Sequence, residues 1–377
     1  MRCNNLRYSL FLLLVIVAFG SKAQKVETAA GPDPRINNGL VVHPNGDVYA
    51  SDLFGTGFNG SRVSRITTNG TAGPFASGLS QPAGMVFGPD EVLYVAEFTS
   101  GEISKVDESG NVTRFVSGLF QPSDLVFDSD SNLYVTNYGN GTISKVEPNG
   151  TISTLITGLN QPVGLAKDEL ENLYSANLKD GIIYRIGPDG QKDSLTTIPD
   201  VPIGFMTYAN GKLYVTATGH HKIYQVDTLG SFQILTGTGQ QGTINGKLEE
   251  AQFTNPDGIA VTKTGDTLFV SENNTNLLRR IVLSNISSIQ RRNLSEKFIH
   301  PNPASDEIRI DLNHSIDSDF KLTFYDVKGR VVLVQELSPE SMENGSLIVQ
   351  VNQLIAGSYI GHLDGDGEHF SFRFLID

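Results

Sequence analysis

The feature that most constrains this chain is a repeat with a period of forty residues. Gln81-Pro82, Gln121-Pro122 and Gln161-Pro162 recur at that spacing, and Pro202 continues the series. Tyr94, Tyr134, Tyr174 and Tyr214 keep it, as do Ile103, Ile143, Ile183 and Ile223, and Gly110, Gly150, Gly190 and Gly230 close each copy. A period of this length belongs to units that bury their apolar face only by stacking on a neighbour. In the copy from Gln121, Leu125-Val126-Phe127 is a short apolar run, Asp128 to Asn132 a turn and Leu133 to Thr136 a second run. Thr142 to Val146 alternates as a third strand, and Pro148-Asn149-Gly150 turns the chain into Thr151 to Ile156. Four short antiparallel strands per copy make the blade of a β-propeller. A solenoid of the same period would need helices or parallel strands, and no helical periodicity is present.

Two looser copies complete a ring of six, one from Asn38 and one from Pro256. The last copy shows three strands, ending near Leu283. Val26 to Ala30, ahead of the first copy, stands where its fourth strand belongs, and that pairing would close the ring and remove exposed edges. Pro-x-Gly before an apolar run, as in Pro82-Ala83-Gly84, followed by Leu93-Tyr94-Val95-Ala96-Glu97, resembles NHL-type repeats. It also resembles the wider gluconolactonase-like and strictosidine-synthase-like propellers. The resemblance covers residues 24–285 and implies a six-bladed β-propeller, a scaffold that hosts binding modules and enzymes alike.

The ends of the chain read differently. Residues 1–23 carry Arg2 and Arg7, then the apolar run Leu10 to Phe19, then Ser21-Lys22-Ala23, the layout of a cleavable secretory signal peptide. Cys3, the only cysteine, lies inside it, so the mature chain has no disulfide, thiolate ligand or cysteine nucleophile. Net charge is −13; losing Arg2, Arg7 and Lys22 makes it −16, and without a basic stripe nucleic acid is not a partner. No second apolar run is long enough to span a bilayer. Residues 286–297 read as a linker. Residues 298–377 hold short alternating stretches that predict a small β-sandwich. There, Pro301-Asn302-Pro303-Ala304-Ser305-Asp306, Asp326 with Gly329-Arg330, and Gly357-Ser358-Tyr359 resemble the type A C-terminal sorting domain of the type IX secretion system. That resemblance implies the secretion machinery as partner and a protein secreted from, or displayed on, a Gram-negative cell. The whole is an all-β chain, expected as a monomer.

No nucleophile elbow, P-loop or His-Glu-x-x-His motif is present. The irregular loops, Phe54 to Arg62 and Gly237 to Asn255, fall on the face that carries the inner-strand starts and second-strand ends, and variable loops on a rigid scaffold are where binding sites form. The second-strand ends read Asp52, Glu97, Asn137, Asn177, Ala217 and Glu272; the inner-strand starts read Asn38, Ala83, Ser123, Val163, Ile203 and Asp257. Asn38, Asp52, Glu97, Asp257 and Glu272 are therefore candidate oxygen ligands for Ca2+, or Zn2+. Asn255-Pro256-Asp257-Gly258 and Asn38-Gly39 resemble the metal-binding motifs of gluconolactonase-like enzymes, with their order along the chain reversed and an early Glu-Gly-Pro motif missing. The alternative use of the acids and amides is to bond loop amides. Asp257 and Glu272 are the candidate catalytic groups; Phe54, Phe58, Phe98, His220 and His221 are the candidate ligand contacts. Three functions stay open: a binding module for an extracellular small molecule, glycan or peptide; a metal-dependent hydrolase of lactones or esters; and a structural or adhesive role.

Overall fold

The computed structural model describes residues 24–31, 36–55, 59–188, 190–283, 292–293, 299–300, 303–311, 319–326, 330–338, 340, 342–343, 346–365 and 368–376. The expected signal peptide, Phe58 and most of the expected linker lie outside the described residues. Among the described residues, six antiparallel four-stranded sheets form the blades. Blade one starts at Leu40–Val42, blade two at Pro82–Phe87, blade three at Pro122–Phe127, blade four at Pro162–Lys167, blade five at Ile203–Ala209 and blade six at Pro256–Val261. Each of these inner strands packs on the inner strands of both neighbours, and that of blade six returns to blade one. The fourth strand of blade six is Lys25–Ala30, paired antiparallel with Leu278–Val282, so both ends of the propeller meet in one sheet.

The repeated residues build the blade. Ile103, Ile143, Ile183 and Ile223 are completely buried between sheets. Tyr94, Tyr134 and Tyr174 serve the turn between first and second strands. Asp128 accepts from the Asp130 and Asn132 amides at 2.9 and 2.7 Å and from the Tyr134 hydroxyl at 3.2 Å, and Asp168 does the same for Leu170, Asn172 and Tyr174. Such carboxylate-capped turns fix a short hairpin without relying on glycine.

The C-terminal region forms two sheets on one apolar core. Glu368–Ile376, Gly357–Gly365, Phe320–Asp326 and Val331–Leu337 make most of the first; Ile299–His300, Glu307–Asp311, Ser346–Gln350 and Met342–Glu343 make the second. Ile308, Ile310, Leu322, Phe324, Leu347, Val349 and Phe374 fill the space between them. Arg292–Asn293, inside the stretch read as linker, runs parallel to Phe370 and Ser371 and so belongs to the sandwich.

Candidate functional site

The mouth of the channel is built from a bulge at the start of the inner strands of blades two to six. In blade three, Pro122 pairs with Asn137 and Leu125 with Val135, so Ser123 and Asp124 together oppose Thr136. The same irregularity stands at Ala83-Gly84 and Asp257-Gly258. The freed backbone groups are stitched to the next blade. Thr136 Oγ1 accepts from the Asp124 amide at 2.9 Å and lies 3.1 Å from the Val163 carbonyl; Thr216 Oγ1 reaches the Asp257 carbonyl at 2.7 Å, and Ser271 Oγ the Asn38 carbonyl at 2.6 Å. Blade five departs from the sequence reading. Ile203 pairs with Ala217, the place Pro82 takes opposite Glu97, so Gly204 and not Ile203 holds the mouth position. The spacing concealed this because the hairpin at Asn210-Gly211 is one residue shorter than its counterparts, which cancels the extra residue.

Asn38 and Asp257 meet across the seam of the ring. Asn38 Nδ2 donates to Asp257 Oδ2 at 3.0 Å, both residues are buried, and Asn38 Oδ1 finds no partner among the described residues. Burial pushes the Asp257 carboxyl up to about 7, against the opposing pull of the Asn38 amide. The other oxygen candidates are committed elsewhere. Glu97 accepts from the Ser80 amide at 2.7 Å and the Ser104 hydroxyl at 2.5 Å; Asp52 Oδ1 accepts from Asn37 Nδ2 at 2.9 Å and the Gly55 amide at 2.8 Å. Glu272, fully buried, pairs with the equally buried Arg279 at 2.5 Å and accepts from Thr275 at 2.5 Å; burial raises its carboxyl, offset by Thr275 and Arg279. Among the described residues no three His, Cys, Asp or Glu side chains gather as a metal site. A divalent ion at Glu272 would also face the Arg279 guanidinium. The donor set therefore does not fit the metal of the gluconolactonase-like enzymes.

The two histidines are held by their loop. His221 Nδ1 accepts from the Asn255 amide at 3.1 Å, and burial, then the charge of His220, lowers its basicity. His220 Nε2 lies 3.1 Å from the Val201 carbonyl, and its Nδ1 lies 3.6 Å from Asp200 Oδ1. The long connection after blade five is packed, not loose: Leu248, Ala251 and Phe253 are buried in one cluster with Val26 and Ile281. Arg279 fastens it, donating to the Gln252 and Ile244 carbonyls and to Asn245 Oδ1, with its guanidinium 4.9 Å over the Phe253 ring. Phe54 is half-buried at the start of the blade-one loop. Phe98 is half-buried at the rim, 5.5 Å from the Tyr138 ring.

Sequence reasoning missed Asp124. It occupies the column that is glycine at Gly39, Gly84, Gly164 and Gly258, and that exception was the available signal. Buried, it accepts from the Leu125 amide and, across the blade boundary, from the Leu165 amide, both at 2.9 Å. Burial nonetheless pushes its carboxyl up to about 8. Gly84 makes room for it, since a Cβ there would lie 2.5 Å from Asp124 Oδ1.

Residues 40–281 match the virginiamycin B lyase family, and residues 298–377 match the secretion-system C-terminal sorting domain. Protein SUPPRESSOR OF QUENCHING 1, chloroplastic, of Arabidopsis thaliana is 34% identical over 93 residues, which is 24% of this chain and 9% of that protein. Three solved structures share the propeller. An auxiliary nutrient binding protein from Bacteroides thetaiotaomicron aligns with a TM-score of 0.60 at 13% identity, over 69% of this chain and 76% of that one. A gluconolactonase from Xanthomonas campestris gives 0.56 at 16%, over 69% and 90%. A catalytically inactive histidine-to-alanine variant of virginiamycin B lyase from Staphylococcus aureus, with quinupristin, gives 0.51 at 18%, over 67% and 83%. At these identities the likeness is one of fold. Among the described residues no helix is long and apolar enough to cross a membrane.

Proposed function

The chain belongs to the virginiamycin B lyase family and ends in a sorting domain that makes it a secreted or cell-surface protein, and from that premise we propose that its channel mouth binds an extracellular ligand. The observation that carries this reading is the two-sided mouth. Blades six and one offer the buried Asn38–Asp257 pair, and blades two to five offer Phe98, Tyr138, Val163, Leu178 and Phe205. An apolar wall with a few convergent polar groups is the usual make-up of a ligand site. Binding is favoured over turnover because the groups chemistry would need are already engaged: Glu272 by Arg279, Glu97 by Ser104, and His221 Nδ1 by the Asn255 amide.

A second reading rests on Asp257. A carboxyl held at about 7 is suited to move a proton at neutral pH, which would make the same mouth a site for elimination or hydrolysis. One experiment separates the two. The mature chain is screened by thermal shift against cyclic depsipeptides, short peptides and oligosaccharides, and each hit is recovered and weighed by mass spectrometry. Binding requires a hit recovered unchanged, with affinity at least about tenfold weaker in Asp257→Ala, the loss that about 1.4 kcal/mol produces. A hit converted to product by the wild type and left intact by Asp257→Asn replaces binding with catalysis. Failure of every class to stabilise the chain overturns both.

A further inference from the structure

Resting on that reading of the mouth, we infer that its rim on blades two and three is a shelf for neutral carbohydrate, formed by Phe98, Phe120 and Tyr138. Backbone bonds join two pairs of segments there, one on each blade. The Phe98 amide donates to the Gln81 carbonyl at 3.0 Å and the Thr99 amide to Ser80 at 3.4 Å; the Tyr138 amide donates to Gln121 and the Gly139 amide to Phe120, both at 3.0 Å. The Phe98 and Tyr138 rings stand 5.5 Å apart, tilted by 55°, and Phe120 on the adjoining strap is 59% exposed.

The repeat itself does not ask for these rings. The counterparts of Phe120 one blade either way are Ser80 and Asn160, and those of Phe98 and Tyr138 are Leu53, Leu178, Thr218 and Asn273. Three aromatics on one sector of the rim, one of them left in water, are an addition to the scaffold.

The company these rings keep selects the ligand class. Residues 80–81, 98–100, 119–121 and 137–140 carry hydroxyls, amides and aromatics, and no carboxylate, ammonium or guanidinium. The neighbouring sectors differ: Lys179 and Asp180 stand on blade four, and Asp200, His220 and Lys222 on blade five. In a chain of net charge −13, an uncharged sector of rings, amides and hydroxyls suits a neutral polyol. A sugar ring presents C–H faces that pack on aromatic faces and hydroxyls that exchange bonds with amides. A charged ligand would find no counter-ion on this shelf.

The test is native affinity electrophoresis of the full mature chain in gels containing amylopectin, dextran, galactomannan, xyloglucan or a β-1,3-glucan, with polygalacturonate as the charged control. The expected result is retardation by at least one neutral polymer, weakened tenfold or more by Phe120→Ala and by Tyr138→Ala and retained in Phe232→Ala, a change on the outer strand of blade five. Because Phe120 is exposed, its replacement leaves the fold intact, which circular dichroism checks. Retardation by polygalacturonate alone, or neutral retardation indifferent to Phe120 and Tyr138, overturns the shelf. So does the absence of retardation by any polymer. If the thermal-shift screen still returns an Asp257-dependent ligand, the mouth reading stands without the shelf; if it returns none, both fall.

Discussion

Blades two to four and the seam joining blades six and one hold the same four-strand sheet by different means. In the regular blades, Asp128 is satisfied in its own turn, Glu97 by Ser80 and Ser104, and Asn137 by the Phe120 amide and Ser144, while in the next blade Asp124 and Thr136 reach only backbone groups. At the seam the partners are 219 residues apart for Asn38 and Asp257 and 217 for Thr28 and Asn245, with Arg280 on Glu27 and the buried Arg279–Glu272 pair between them. A repeating blade can reuse one local solution. The N-terminal strand must find one sheet edge among six similar ones, and side-chain pairs found only at the seam make that edge different. Buried polar pairs are a known means of fixing register, at some cost in stability.

The sharpest way to break this contrast is to remove Arg279. Arg279→Ala leaves the Glu272 carboxylate buried without a partner and frees the connection held through Gln252, Ile244 and Asn245. The expected loss is about 3–5 kcal/mol in urea unfolding at pH 7. Arg279→Lys keeps the charge but not the fork of donors, and should fall between. In the regular half, Arg114→Ala breaks the exposed pair with Glu102 and should cost under about 1 kcal/mol. Equal losses at the two places would remove the distinction.

Each half carries a buried carboxyl pushed far above its ordinary range, and pH separates the two at smaller amplitude. Asp257 at the seam is pushed up to about 7 and Asp124 in blade three to about 8, both by burial. An unfolded aspartate titrates near 3.9. Below about pH 4 both states hold the proton and the contribution is complete. As pH rises from there, the unfolded chain releases its proton while the folded chain keeps it, so stability falls until each folded carboxyl ionises. The slope is at most about 1.4 kcal/mol per pH unit for each group. Acids lowered in the folded state, such as Glu27 and Asp128, act in the opposite sense on the acid side. The urea midpoint should therefore be higher at pH 5 than at pH 8. Asp257→Asn should flatten the slope up to about pH 7, leaving a remainder to about pH 8 that Asp124→Asn removes. An unchanged slope in both variants would place the titration elsewhere.

The regular half was legible in the sequence because its positions repeat for a reason that sequence spacing preserves. The buried isoleucines and the turn tyrosines recur every forty residues since each blade packs on an identical neighbour. Closure by Val26 to Ala30 was legible too, as the strand left over at one end and missing at the other. The seam chemistry was not. In the sequence Arg279 and Arg280 are only two adjacent basic residues; that one is fully buried and the other bonds Glu27 depends on how Gly237 to Asn255 folds back, and no period describes that stretch. Asn38 and Asp257 were singled out as oxygen ligands, and the structure does bring those two together; Asp52, Glu97 and Glu272 are held apart by partners that spacing does not reveal. The blade-five register was hidden by two compensating changes of one residue.

The smallest effect tests whether the seam differs in its backbone stitching or only in its charged pairs. Thr136→Val in the regular half strands the Asp124 amide and removes a donor to the Val163 carbonyl. Ser271→Ala at the seam does the same to the Gly258 amide and the Asn38 carbonyl. Each leaves buried backbone groups unsatisfied, at about 1–3 kcal/mol. The two should cost the same within about 0.5 kcal/mol by urea unfolding, because they sit in corresponding bulges and far enough apart to be independent. Ala96 and Ala176 hold the same place in blades two and four, so the hydroxyl is an optional reinforcement of a boundary and not a requirement of the blade. Ala96→Ser should then be neutral or stabilising by about 0.5–1 kcal/mol if the new hydroxyl reaches blade three. A clearly larger loss for Ser271→Ala would mean that the seam depends on its hydroxyl as well as on its side-chain pairs. Equal losses would confine the difference between the halves to Arg279, Glu272, Asn38 and Asp257.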